Sequence, residues 1–359
     1  MITISLCMIV RDEEAVLGRL LEQVKDVADE IIIVDTGSVD RTEEIARRYT
    51  SSVFHYRWRD DFAAARNFAC QKATMDYWMW LDADDVLTPE NQARLLELKR
   101  TLEPDVDVVM MRYAVGFDEK GKKNFSYYRE RLIRNGKGFR WEGRVHEAVT
   151  PRGKVIHSDV EIEHRKVSQG DPDRNLRIYE EMLRDGESFG PRSLFYYGRE
   201  LLCHQRYGEA AAVLEEFLEM EDGWKENRID ACLQAARCYE KTGNEEKRME
   251  LLLRSFRYDI PRAEVCCDIG RLFMEKQDFE KAAYWYSQAL AVPDRYGEGG
   301  FQQEEYHGFI PLIQLCVCCD RLGDINGAWQ YHLRSAVLKP EDASVRKNQQ
   351  YFERLFAEG

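Results

Sequence analysis

A run of four large apolar residues at positions 78–81, Trp-Met-Trp-Leu, constrains the fold of this chain more than any other feature. Such a run fits a strand that is buried on both faces, as occurs in the centre of a sheet covered by helices. Apolar runs at residues 2–10 and 31–34 have the same character, and segments with helical periodicity separate them. This alternation predicts an α/β fold with a doubly wound, mostly parallel sheet up to about residue 110.

Three carboxylates follow the 78–81 strand within four positions: Asp82, Asp84 and Asp85. Acids this close repel one another unless a cation or solvent offsets their charge. Carboxylate oxygens at a strand end are ligands that Mg²⁺ and Mn²⁺ prefer, and these ions keep coordination sites for phosphates. Taken alone, the three acids fit a metal site and a solvated acidic turn equally well.

The pattern changes twice further along the chain. Residues 106–149 contain shorter strand-like segments and predict an antiparallel extension of the same sheet, whereas residues 151–175 are polar and show little apolar periodicity. The remainder is helical and repetitive, with turn positions Gln205, Gly243, Gln277 and Gly323, each followed five residues later by Ala210, Arg248, Ala282 and Ala328. The spacing is close to the tetratricopeptide period of about 34 residues. We therefore predict two domains, residues 1–165 and an all-α helical-repeat domain over residues 166–359.

The repeats predict stacked helix pairs that bind a partner, brace the first domain or form a homodimer, for which Trp224, Trp285 and Trp329 are candidate contacts. The net charge of −13 argues against binding to nucleic acid or anionic membranes. No apolar run approaches the ~20 residues of a membrane span. Eight of the ten cysteines lie beyond residue 200 among helical patterns, which predicts buried, reduced thiols and a cytoplasmic protein.

Four ordered motifs in the first domain resemble those of family 2 glycosyltransferases, which have the GT-A fold. They are Ser-Leu-Cys-Met-Ile-Val-Arg-Asp-Glu-Glu at 5–14, Asp-Thr-Gly-Ser at 35–38, the segment at 62–67 that ends in Arg66 and Asn67, and Leu-Asp-Ala-Asp-Asp at 81–85. The likeness covers residues 1–150. Together with the repeats, it resembles the bacterial branch that contains the peptide S-glycosyltransferases.

The resemblance implies roles for individual residues. Asp35 would accept a hydrogen bond from the nucleotide base, with Arg11 and the backbone at Gly37 lining the same pocket. Arg66 would contact the diphosphate or brace the surrounding loops. Asp82 would face the ribose or the metal, and Asp84 would bind Mn²⁺ or Mg²⁺. Asp85 would be a solvated carboxylate or would lie behind the site.

A second cluster, at residues 139–147, resembles the acceptor side of such enzymes. There, His146 would be a further metal ligand or a phosphate contact, and Glu142 and Glu147 are the two candidates for the base that activates the acceptor. The predicted activity is a metal-dependent, inverting transfer from a nucleotide-sugar, with UDP-sugar favoured, to a peptide, protein or glycan acceptor presented by the repeats. The alternative is a repeat scaffold whose first domain binds nucleotide without catalysing transfer.

Overall fold

The computed structural model describes residues 1–117, 121, 123–167, 170–293 and 303–358. The chain divides into two compact units, Met1–Ser188 and Phe189–Gly359. In the first unit the strands are β1 (Ile4–Val10), β2 (Glu30–Asp35), β3 (Val53–His55), β4 (Tyr77–Trp80), β5 (Asp85–Val86), β6 (Val108–Phe117), β7 (Lys123–Arg134), β8 (Trp141–Glu142), β9 (Ala148–Val149) and β10 (Val155–His164). Its helices are α1 (Leu17–Val24), α2 (Thr42–Ala46), α3 (Phe62–Cys70), α4 (Pro89–Thr101) and α5 (Arg174–Arg184). Because α5 belongs to this unit, the predicted boundary after residue 165 falls inside it.

Eight of these strands form one mixed sheet in the order β3-β2-β1-β4-β7-β6-β10-β5. Strands β1 to β4 are parallel, and β7 is antiparallel to both β4 and β6. The predicted parallel sheet with an antiparallel extension is therefore confirmed. The chain runs outward from β1 through β2 to β3 and then returns to β4 on the other side of β1, so the strand order reverses beside β1. Ligands of open α/β sheets bind at the carboxyl ends of strands at such a reversal.

Residues 151–175, which are polar and show little apolar periodicity, contain a strand that the sequence analysis did not predict, because β10 occupies residues 155–164 and pairs with both β6 and β5. Over residues 155–160 the odd-numbered positions are exposed and the even-numbered ones less so, which is the alternation of a half-buried strand, and Val160, Glu161 and Ile162 are all buried. The charged residues Glu161 and Glu163 between the apolar positions hid this short period. The miss affects the functional site, since β10 ends at His164.

Helices cover both faces of the sheet. Helix α1 buries Leu17, Leu20, Leu21 and Val24, a helical stripe, in a core that also contains Tyr77 and Met79 of β4. Trp78 and Trp80 point to the opposite face, where they join Ala63 and Ala69 of α3. Strand β4 is thus buried on both faces, as its sequence predicts.

The second unit consists of helices in antiparallel succession. They are α6 (Pro191–Cys203), α7 (Tyr207–Glu219), α8 (Lys225–Thr242), α9 (Glu245–Arg254), α10 (Ala263–Glu275), α11 (Phe279–Ala291), α12 (Phe309–Arg321), α13 (Ile325–Leu338) and α14 (Ala343–Glu358), with short 3₁₀ helices at Ser255–Arg257 and Glu304–His307. Successive helices pack against one another from α6 to α9 and from α10 to α13, with few contacts between α9 and α10, and the packed pairs include α6 with α7, α8 with α9, α10 with α11 and α12 with α13. These are the predicted tetratricopeptide-like pairs.

The repeat register read from the sequence is confirmed by the backbone. All four predicted turn positions have positive φ, at 60° for Gln205, 77° for Gly243, 58° for Gln277 and 83° for Gly323. The residues five positions later, Ala210, Arg248, Ala282 and Ala328, are all buried. Arg248 replaces the usual alanine and remains buried because its Nη1 donates to Glu275 Oε2 at 2.6 Å.

The three candidate dimer tryptophans differ in exposure. Trp224 is 53% exposed, whereas Trp285 packs in the cores of its own unit and Trp329 lies against Phe352, with ring centroids 5.1 Å apart. A homodimer stays a prediction, with Trp224 its remaining exposed candidate of the three. In the described parts of the chain, no helix combines the length and hydropathy needed to traverse a lipid bilayer.

Candidate active site

The loop after β2 begins the site. Asp35 is buried, and its Oδ1 accepts hydrogen bonds from the backbone N–H groups of Gly37, at 2.6 Å, and Ser38, at 2.8 Å. Gly37 has a φ of 110°, which side-chain-bearing residues rarely adopt, so glycine permits this turn. The turn holds Asp35 at the carboxyl end of β2, where the sequence predicts a nucleotide-base contact.

The loop after β1 is joined to the loop after β2. The Asp12 backbone N–H donates to Ser38 Oγ at 3.0 Å, and Asp12 Oδ1 accepts from the Val39 N–H at 2.7 Å. Arg11 keeps 56% of its side chain exposed, with Nε 3.8 Å from Asp12 Oδ2. These contacts order the two loops predicted to line the nucleotide pocket.

Arg66 connects two parts of the site that are far apart in sequence. Its helix, α3, starts at an N-cap, where Asp61 accepts from the Ala64 N–H at 2.8 Å. One turn later, Arg66 donates from Nη2 to Asp82 Oδ1 at 2.7 Å and from Nε to Glu147 Oε1 at 2.6 Å. Of the two roles that the resemblance implies for Arg66, these contacts correspond to bracing the loops.

The guanidinium of Arg66 lies between two tryptophan rings and lowers the pKa of Asp82. The guanidinium carbon lies 4.9 Å from the ring centroid of Trp80 and 5.0 Å from that of Trp141. Burial alone would raise the pKa of Asp82, but the charges of Arg66 and Arg131 outweigh it and lower that pKa to about 2. Asp82 is therefore ionised and paired in the folded protein at neutral pH.

Asp84, Asp85 and His164 form a group whose potential ligand atoms all lie within 4.8 Å of one another, in the described residues. His164 Nδ1 is 3.2 Å from Asp84 Oδ1 and 3.4 Å from Asp85 Oδ1. Burial would lower the pKa of His164, but its hydrogen bonds to the two carboxylates raise it to about 10. His146, the histidine predicted as a ligand, is outside this group and lies between β8 and β9 with a φ of 51°.

Asp85 differs from the other two acids in being completely buried. The solvated-turn alternative therefore fails for this residue. Asp84 and His164 are partly exposed, at 19% and 28% of their side chains, so a ligand can reach them.

Glu13, in the loop after β1, has a pKa that is raised by burial and by the negative charges of the site. Its pKa is raised to about 7, first because the carboxyl is half-buried and then because of the negative charges of Asp84, Asp82, Asp40 and Asp12. Burial and nearby negative charges both favour the protonated form of a carboxyl group. The sequence marked this loop as a motif but gave Glu13 no role.

Comparison with known proteins fits this geometry. The family described as Glycosyl transferase family 2 matches residues 5–162, which span β1 to β10 and include Asp35, Arg66, Asp82 and Asp84. The first unit contains a family 2 glycosyltransferase domain.

Three curated relatives are similar to parts of this chain. A TPR repeat-containing protein of Synechococcus elongatus is 42% identical over 151 residues, which cover 42% of this chain and 36% of the relative. The glycosyltransferase SunS of Bacillus subtilis is 29% identical, over 64% of this chain and 57% of its own length. The lipopolysaccharide core biosynthesis glycosyltransferase LpsC of Rhizobium meliloti is 31% identical, over 42% and 58%. The chain thus spans less than two thirds of the length of each of these relatives.

Solved structures give partial superpositions. MamA is 14% identical, with 51% of this chain and 94% of that chain covered and a TM-score of 0.39. Glucosyl-3-phosphoglycerate synthase from Mycobacterium tuberculosis, in complex with Mg²⁺ and uridine diphosphate, is 22% identical over 31% and 44%, with a TM-score of 0.27.

The two glutamates predicted as bases occupy different surroundings in the glycosyltransferase domain. Glu142 lies on β8 with its side chain exposed. Glu147 is 12% exposed and is joined to Asp82 through Arg66. Of the two glutamates, Glu147 is the one that ion pairs of the described residues connect to the carboxylate cluster.

One further cation near the domain was missed by the sequence reading. Arg174, the first residue of α5, has its guanidinium carbon 4.8 Å from the Phe62 ring centroid, one turn before Arg66 on α3. Arg174 interacts electrostatically with Glu147 and Arg11. Its helix lies beyond the family match, so no motif pointed to it.

Proposed function

We propose that this chain is an inverting glycosyltransferase that uses a divalent cation and a UDP-sugar donor. The observation that carries the proposal is the convergence of Asp82, Asp84 and His164 at the carboxyl ends of the sheet in a family 2 domain. Clustered carboxylates and an imidazole at a sheet edge are suited to holding a metal–diphosphate group.

The donor set fits a divalent cation. Asp84 offers a carboxylate oxygen and His164 a ring nitrogen, 3.2 Å apart in partly exposed side chains. Because the pKa of His164 is about 10 in the metal-free protein, the ion would displace the proton of this imidazole. An imidazole among the ligands favours Mn²⁺ over Mg²⁺, because Mg²⁺ takes oxygen ligands almost exclusively. The bound ion would neutralise charge on the departing nucleoside diphosphate.

The donor nucleotide would occupy the loops after β1 and β2. Asp35 supports recognition of a base that presents an N–H group, as uracil does, and Gly37 leaves open space where a side chain would stand. The exposed guanidinium of Arg11 supports contact with the nucleotide at the same loop pair.

Glu147 is the proposed base for the acceptor. It would take the proton of the attacking hydroxyl or thiol as that atom bonds to the anomeric carbon and the bond to the diphosphate oxygen breaks, which inverts the configuration. Arg66 orients Glu147 through Oε1, and the same guanidinium fixes Asp82.

The proposed acceptor is a peptide or protein side chain presented by the repeats. Stacked tetratricopeptide-like pairs form surfaces suited to extended or helical segments, which supports this choice over a glycan. The ten unpaired cysteines support a reducing, cytoplasmic location.

A panel of nucleotide-sugars tests the proposal. Thermal-shift measurements and assays of slow donor hydrolysis, with and without Mn²⁺, should single out a UDP-sugar whose effect requires the ion. Asp84→Ala should abolish Mn²⁺-dependent hydrolysis, whereas Asp105→Ala, which removes a surface acid paired with Lys154, should not.

Two outcomes would contradict parts of the proposal. No stabilisation by any nucleotide-sugar would favour the scaffold alternative, and hydrolysis undiminished by EDTA would remove the metal role. Comparing Glu147→Gln with Glu142→Gln tests the base: loss of transfer in the first variant alone supports Glu147, and loss in the second alone assigns the role to Glu142.

A further inference from the structure

A buried ionic frame lies directly behind the carboxylate cluster. Asp85 Oδ2 accepts from the Asp82 backbone N–H at 3.0 Å and from Arg131 Nη1 at 3.1 Å. Asp85 Oδ1 accepts from the Tyr113 hydroxyl at 2.9 Å and lies 3.4 Å from His164 Nδ1. Both oxygens of Asp85 are therefore engaged by the protein itself.

Arg131 contributes the cation of the frame and lies on β7, the strand that pairs with β4. Its side chain is completely buried, and Nη1 also donates to the Trp80 carbonyl at 3.1 Å. The guanidinium carbon lies 3.6 Å from the Trp80 ring centroid and 4.1 Å from that of Tyr113. Nε and Nη2 of Arg131 are buried without a hydrogen-bond partner in the described residues.

A buried ion pair such as Asp85–Arg131 contributes little net stability. Two charges removed from water lose hydration that their mutual attraction repays only with complete hydrogen bonding, and an apolar pair of similar volume is often as stable. Arg131 is not completely hydrogen-bonded, so its pairing with Asp85 is better explained by the geometry that it imposes.

The frame fixes the positions of the two exposed ligand candidates. Asp84 lies between Asp82, whose backbone N–H donates to the Asp85 carboxylate, and Asp85, whose carboxylate accepts from Arg131. The Asp84 carbonyl also accepts from the Arg165 N–H at 3.1 Å. His164 is paired in register with Asp85 across β5 and β10.

We propose that Asp85 and Arg131 are positioning residues that hold Asp84 and His164 at the spacing needed by a divalent cation, with Asp85 itself outside the coordination sphere. The inference rests on the proposed metal role and goes beyond it, because it assigns a function to Asp85 and Arg131, two buried residues behind the proposed metal ligands. Partners behind metal ligands typically change metal affinity by about 10- to 100-fold when they are replaced.

The test uses the full chain and Mn²⁺ alone as the probe, titrated by the loss of the free-ion electron paramagnetic resonance signal. Arg131→Met and Asp85→Asn should each weaken Mn²⁺ binding about 10-fold or more. The double variant, which no longer buries an unpaired charge, should regain much of the lost thermal stability while its Mn²⁺ affinity stays low.

Lys99→Met provides a matched control in the same unit. Lys99 is also buried and ion-paired, with Nζ 2.7 Å from Asp29 Oδ2, but it lies on α4, away from the cluster. This variant should lose stability and keep the Mn²⁺ affinity of the wild type.

The outcomes distinguish a failure of the positioning role from a failure of the metal site. Single variants that bind Mn²⁺ within twofold of the wild type, or a double variant that recovers affinity together with stability, would show that the pair is only structural. A wild-type chain that takes up no Mn²⁺ would instead refute the proposed metal site, and the positioning role with it.

Discussion

Replacing Arg66 by methionine removes a cation that Asp82 and Glu147 share. The variant keeps a side chain of similar length between Trp80 and Trp141, so the main change is the loss of charge and of the two hydrogen bonds at 2.7 and 2.6 Å. Both carboxylates are then left in a largely buried site without their partner. We expect the first unit to lose stability as a result.

The magnitude follows from the same contacts. Breaking a buried ion pair by removing one partner costs about 3–5 kcal/mol. The pKa of Asp82, lowered to about 2 from an ordinary 3.8, corresponds to about 2 kcal/mol at neutral pH, of which Arg66 supplies the largest share and Arg131 a smaller one. That contribution is present above pH 3.8 and disappears as the pH falls through 2, because protonated Asp82 no longer needs the cation. The loss should therefore be about 3 kcal/mol or more at pH 7.5 and clearly smaller at pH 3.

Hydrogen–deuterium exchange in increasing urea, read on peptides from β1 and β4, measures the stability of the first unit separately from the helical unit. Arg48→Met is the matched control, because its ion pair with Glu44 is exposed, at 61% and 60% of the two side chains, and should contribute less than about 1 kcal/mol. A loss below 1 kcal/mol for Arg66→Met, or one that is the same at both pH values, would refute this account of Arg66.

Three further predictions concern other parts of the chain. Glu13→Gln should leave the stability of metal-free protein unchanged below pH 4.5 and raise it by about 1–2 kcal/mol at pH 8. The reason is that the folded state binds the Glu13 proton up to about pH 7, and partial exposure of the side chain reduces the full effect. Equal urea midpoints for variant and wild type at pH 8 would contradict this prediction. Gly198→Ala should destabilise the helical unit by about 1–3 kcal/mol, because the added Cβ would stand 2.7 Å from Leu214 side-chain atoms, whereas Gly208→Ala, with nothing within 4 Å, should not destabilise it in a thermal melt. Arg174 interacts electrostatically with Arg11 of the proposed nucleotide pocket, so we expect its positive charge to act on the diphosphate. Arg174→Ala should then weaken binding of UDP more than that of uridine in calorimetric titrations, and equal losses for both would argue against a phosphate contact.

Much of the architecture could be predicted from local patterns. The apolar run of β4, the alternation of strands with helices and the repeat turns at Gln205 and Gly323 all depend on residues close together in sequence, which report burial and backbone conformation directly. The left-handed turns and the buried alanines therefore appeared where the periodicity placed them. Strand β10 was missed because its alternation of apolar and acidic residues is confined to residues 160–163, after the polar residues 157–159.

The site was predictable only in part. Asp35 ends β2, and Asp82 and Asp84 follow β4; only β1 separates these two strands, so a parallel sheet brings the acids to one edge once the strand order is known. The sequence analysis named His146 as the companion of Asp84 and did not single out His164, because the position of His164 depends on the antiparallel pairing of β5 with β10.

The sequence by itself thus determined the two kinds of architecture, the register of the repeats and the acidic edge of the sheet, since each is set by short-range periodicity and strand ends. Only the tertiary structure decided that Arg66 braces Asp82 against Glu147, that Asp85 is buried on Arg131 and that His164 faces Asp84. Those contacts join residues from different strands and helices, and they are fixed by sheet order and burial, which no local pattern encodes.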